Sequence, residues 1–156
     1  LSIGIGFCNS ISGNYTGYHT IGTGFCNSIS GDYGQSNTIA NGFRNKILGS
    51  YSFIGNGSYN TASSANNFIG GGCRNITSGV YSSIVGGQLN TASADCSFIG
   101  GGCKNAIIDF YASSIVGGRL NCITGSVYSN IGGGYNNLMS KNSYYNRHLR
   151  RPSRLV

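Results

Sequence analysis

The chain has no tryptophan, no glutamate and a single proline, and only 8% of its 156 residues are charged. Asp32, Asp95 and Asp109 are its only acidic side chains, and His19 and His148 its only histidines. General acid-base catalysis needs paired groups held in a cleft. With carboxylates this sparse, no catalytic residue is expected and the chain reads as a non-enzyme. Its six cysteines (Cys8, Cys26, Cys73, Cys96, Cys103, Cys122) form no CxxC pair, so neither a metal nor any other cofactor is expected. No apolar run reaches about 18 residues and no basic-then-apolar leader opens the chain, so neither a membrane span nor a signal peptide is expected.

What the chain does have is 27 glycines, 11 tyrosines, 7 phenylalanines and a regular series of isoleucines. Disorder needs high charge and few aromatic or β-branched residues, which this composition does not offer. Aligning the chain on Ile3, Ile21, Ile39, Ile54, Ile69, Ile84, Ile99, Ile115 and Ile131 exposes a repeat. Three residues after every anchor stands glycine, from Gly6 to Gly134. Six after it stands asparagine: Asn9, Asn27, Asn45, Asn60, Asn75, Asn90, Asn105, Asn121 and Asn137. Eight after it stands an apolar or small residue, such as Ile29, Ala62 or Ile123. The anchors are 18, 18, 15, 15, 15, 15, 16 and 16 residues apart, and every extra residue falls between this last position and the next anchor.

A unit of about 15 residues holds two short strands and two turns and cannot bury its apolar side chains alone. Stacking solves this: each strand pairs with its equivalent above and below at roughly 4.8 Å, so like residues form ladders along an axis. The spacing therefore predicts an all-β fold, a parallel β-solenoid (β-roll) of nine coils of 15 to 18 residues. It occupies residues 1–146, followed by a basic tail, 147–156, expected to be disordered or the start of a neighbouring segment. The constant glycine is expected where the chain turns with positive φ or approaches another backbone closely. The asparagine is expected at the same corner, where it tolerates the left-handed region and forms a structural ladder through its amide.

The strands before the turn read Tyr51-Ser52-Phe53-Ile54, Tyr81-Ser82-Ser83-Ile84 and Tyr128-Ser129-Asn130-Ile131, with Phe68 and Phe98 also directly before their anchors. Side chains alternate across a strand, so Ser and Ile face one way and the aromatic residues the other. Only one face lies inside the coil. Tyr51, Phe53, Phe68, Tyr81, Phe98 and Tyr128 are therefore the expected interface, buried in a homo-oligomer, with a trimer the simplest closed solution.

The run Tyr81-Ser82-Ser83-Ile84-Val85-Gly86-Gly87-Gln88-Leu89-Asn90-Thr91-Ala92, with Tyr51-Ser52-Phe53-Ile54-Gly55 and Asn60-Thr61-Ala62, resembles the head repeats of YadA-like trimeric autotransporter adhesins and related repeats in phage tail fibres and giant-virus proteins. The likeness spans residues 1 to about 140 and implies a left-handed, trimeric β-roll. Departures are a longer coil, the constant Asn, and the glycine-rich turns Gly70-Gly71-Gly72, Gly100-Gly101-Gly102 and Gly132-Gly133-Gly134.

The expected role is a structural or adhesive segment of a surface or virion fibre, at a cell or virion surface, with a host receptor or glycan as partner. Neither nucleic acid nor membrane insertion is expected. Segments 14–20 and 32–38, the longest corners, are the candidate contact loops. The alternative is a monomeric glycan- or ice-binding solenoid, against which, for ice, the scattered threonines count. Cys8 and Cys26 occupy equivalent positions in adjacent coils, close enough for a disulfide, but free packed thiols are expected.

Overall fold

The computed structural model describes residues 1–13, 17–30, 36–109 and 111–140, together with the backbone of residues 147–148. Among these residues there is no helix, and the chain forms a parallel β-solenoid of about eight turns. One sheet of ten strands runs from Ser2–Ile3 through Asn130–Ile131 to Arg147–His148 and carries the anchor isoleucines. The other, of nine strands, runs from Ser10–Ser12 to Leu138–Ser140. Equivalent residues pair without slippage: Ile54 sits beside Ile69 and Ile69 beside Ile84, while Ala62 sits beside Thr77 and Thr77 beside Ala92.

The strands are only two or three residues long, shorter than the repeat suggests. The reason is that the backbone turns a corner just before and just after each of them. Five residues past every anchor the chain enters the left-handed region, with φ between 52 and 60° from Cys8 and Arg44 to Asn136. Three residues before most anchors it does so again, at Ser36, Tyr51, Asn66, Tyr81, Cys96, Ala112 and Tyr128. These residues are not glycine, and each such conformation costs on the order of 1 kcal/mol. Inter-coil hydrogen bonds offset that cost. Phe43 N–H donates to the Gly57 carbonyl in the following coil and Arg44 N–H to the Phe25 carbonyl in the preceding one, both at 2.9 Å. Phe25, Phe43, Ser58, Cys73, Gln88, Cys103, Arg119 and Tyr135 form a third, one-residue ladder at this corner.

The constant glycine has positive φ in every coil, for example 89° at Gly87. It is also hemmed in: a Cβ at Gly87 would overlap the Gly102 carbonyl oxygen and stand 2.7 Å from Asn90 Nδ2. Both expected reasons for glycine hold together. The left-handed residue of this corner is the one before the asparagine, and the column asparagines themselves are absent from the positive-φ set. That corrects the expectation that Asn takes the left-handed turn. Its amide is needed elsewhere.

Between the two sheets the anchor isoleucines face the residues eight positions on, and Ile21, Ile39, Ile54, Ile69, Ile84, Ile99 and Ile115 have no exposed surface. Burying each is worth roughly 1.5–3 kcal/mol. The apolar core divides into two clusters, Ile21 to Ile69 and Ile84 to Met139. Thr77 lies at the division, its buried hydroxyl without a hydrogen-bond partner.

Candidate functional site

Two columns of buried polar side chains flank the isoleucines, one at each corner. In the first, the asparagines from Asn27 to Asn121 make the same three bonds, while Asn9 and Asn137 at the two ends make part of the set. Asn75 Nδ2 donates to the carbonyls of Gly71 and Gly87, both at 3.0 Å, and its Oδ1 accepts the Asn90 N–H, also at 3.0 Å. Asn60, Asn90 and Asn105 repeat the pattern. The amide thus supplies an acceptor to a backbone N–H that has turned away from the regular ladder. These bonds are made within the solenoid, and the work of the column is to close the corner.

The second column stands two residues before the anchors and consists of His19, Asn37, Ser52, Asn67, Ser82, Ser97, Ser113 and Ser129, all buried. Asn37 Nδ2 donates to the Gly49 carbonyl at 2.7 Å and its Oδ1 accepts the Ser52 N–H at 2.8 Å. The alternation in Tyr-Ser-Phe-Ile pointed to the inward serines. Asn37, Asn67 and His19 escaped notice because the residue type varies along this column.

The remaining candidate residues lie on the outer faces. Tyr51, Phe53, Phe68, Tyr81, Phe98 and Tyr128 all point outward, between 37 and 62% exposed. They do not make one continuous ladder. Phe53 and Phe68 stack with centroids 5.7 Å apart, whereas Ser83 separates Phe68 from Phe98. The tyrosines stand at the adjoining corner, in the left-handed positions. Each phenylalanine ring lies along the sheet over the glycine two residues on, since a Cβ at Gly70 would meet Phe68 Cε1 at 3.5 Å and one at Gly100 would meet Phe98 Cε1 at 3.5 Å. With exposed Val85 and Val116 the result is an apolar band interrupted by Ser83 and Ser114. Between residues 2 and 131, no described side chain on this outward face is charged.

A second aromatic file was missed. Phe7, Phe25, Phe43 and Tyr59 lie along the asparagine corner, with successive centroids 5.1, 5.5 and 5.4 Å apart. The signal was a phenylalanine four residues after each of the first three anchors. Arg44 covers the rings of Phe43 and Tyr59 at 5.1 and 5.7 Å, and its Nη1 donates to the Tyr59 hydroxyl at 3.1 Å.

The six cysteines are free thiols. Those of Cys8 and Cys26 hydrogen-bond across one rung, and that bond, with desolvation second, raises the Cys26 thiol above its ordinary pKa. No three His, Cys, Asp or Glu side chains among the described residues gather into a metal-holding group. Among the described residues no helix is long and apolar enough to cross a membrane. Of the candidate contact loops, residues 14–16 and 32–35 lie outside the described residues. A scan against protein-family models matches none, and a search of characterised proteins returns no relative.

Proposed function

We propose that the chain is a non-enzymatic structural or adhesive segment of a surface or virion fibre, a rigid spacer that self-associates and makes repeated contacts along its length. The observation that carries this reading is the interrupted apolar band of the anchor sheet, without charge among its described side chains, on a coil whose corner asparagines are bonded from within. A face of this kind favours association over solvation. A closed threefold arrangement buries it on every copy without open-ended growth. The nine-coil count, left-handed winding, trimeric state and extracellular placement belong to this same reading, supported by the repeat and by the likeness to adhesin heads.

The test is mass by light scattering. The native chain is expected at three times the chain mass. Phe68→Asp with Phe98→Asp places two carboxylates on the apolar band without touching the core and is expected to give folded monomers. A native chain that runs as a monomer at micromolar concentration removes the proposal.

A further inference from the structure

The charged residues are sorted by corner. Arg44, Arg74 and Lys104 stand five residues past anchors in alternate coils, with Arg119 and Lys46 beside them, and all five are exposed. The two carboxylate side chains among the described residues lie at the opposite corner. There Asp95 Oδ1 accepts the Val80 N–H at 2.8 Å, and Asp109 Oδ2 accepts the Thr124 hydroxyl at 3.1 Å. The basic edge is thus a stripe of one sign with no acidic side chain on it.

Its spacing follows from the backbone. Phe43, Ser58 and Cys73 occupy successive rungs, so Arg44 and Arg74 are two rungs apart, roughly 10 Å. Arg74 and Lys104 repeat that interval through Gln88. The guanidiniums are held in place by aromatic faces: Arg44 as described, Arg74 over Tyr59 at 5.6 Å and Arg119 over Tyr135 at 6.0 Å. Cations ordered before binding lose less side-chain entropy when a ligand arrives.

We propose that this edge binds a linear acidic polysaccharide, one that carries a carboxylate or sulfate on each disaccharide. Such a polymer presents its anions at an interval comparable to two rungs. Duplex DNA offers one charge per about 1.7 Å of axis, far denser than the stripe can neutralise. Single strands bind by laying bases on free aromatic faces. Here Phe7, Phe25 and Phe43 stack at 5.1 and 5.5 Å, which leaves no slot for a base between them. The stripe is also ill suited to lie at a threefold contact, where three like-charged edges would converge, so it stays outward in the fibre.

The inference gives a partner to the surface-contact reading and rests on it. The two are tested separately, since association is read from mass and this from ligand binding. The full chain is titrated with hyaluronan oligosaccharides, dextran and duplex DNA at several salt concentrations. Hyaluronan binding that weakens with salt, no dextran binding and weaker DNA binding are expected. Arg44→Glu with Arg74→Glu should lower hyaluronan affinity about tenfold or more, and Arg44→Gln with Arg74→Gln should lower it less. Ser63→Glu with Ser93→Glu, which matches the charge change of the glutamine pair away from the arginines, should leave it within twofold. Circular dichroism confirms that each variant is folded. Unchanged binding in both arginine variants, an equal loss in the serine variant, or tighter binding to DNA would each overturn the proposal.

Discussion

Replacing Asn75 by alanine tests the physical basis of the corner. The substitution removes three hydrogen bonds at once, but their losses differ in kind. The Gly87 carbonyl keeps a partner, because it also accepts the Cys73 N–H at 2.9 Å. The Gly71 carbonyl lies on a partly exposed turn, where water can replace the amide. The Asn90 N–H is buried and its acceptor is gone, and an orphaned buried donor costs about 1–3 kcal/mol. Adding the small cavity left by the amide, Asn75→Ala is expected to lose roughly 2–4 kcal/mol. In a chain of this size that lowers Tm by roughly 5–15 °C. Urea unfolding followed by circular dichroism measures the loss. The control is Gln88→Ala, at an exposed position, expected within about 0.5 kcal/mol of the parent. If Asn75→Ala behaved like this control, the asparagine column would be incidental to the fold and the account of the corner wrong.

Further outcomes follow from single positions. Gly87→Ala places a Cβ on the Gly102 carbonyl at φ 89°, whereas Gly101→Ala meets nothing within 4 Å; the first is expected to cost several kcal/mol and the second to stay within about 0.5 kcal/mol, compared by thermal melts. Thr77→Val removes the unpaired hydroxyl at the break between the two apolar clusters and is expected to stabilise by about 1 kcal/mol, seen as a higher urea midpoint. The Cys122 thiol is raised first by burial and then by the Asp109 carboxylate. Its neutral form is the one the fold favours, so that contribution is present below the ordinary thiol pKa and fades as pH rises through the raised value. Iodoacetamide at pH 9 should therefore modify Cys122 more slowly in the native chain than in urea, and equal rates would contradict the shift.

The sequence by itself determined the coil: its period, the paired inward columns at the anchor and eight residues on, the glycine and the asparagine. Those positions are legible because every rung contacts only its neighbours, so one steric solution recurs coil after coil with the same residue type. The tertiary structure alone decided where the chain turns left-handed. The position before each column asparagine is Cys8, Cys26, Arg44, Tyr59, Arg74, Leu89, Lys104, Leu120 or Asn136, a series with no common chemistry, because bonds to adjacent coils rather than local preference hold the backbone there. The polar column from His19 to Ser129 was likewise hidden, since its hydrogen bonds accept imidazole, amide or hydroxyl alike. The separation of cations from carboxylates was hidden too. Charges far apart in the chain meet on one edge only when the coils are stacked, and stacking is a property of the assembled rungs.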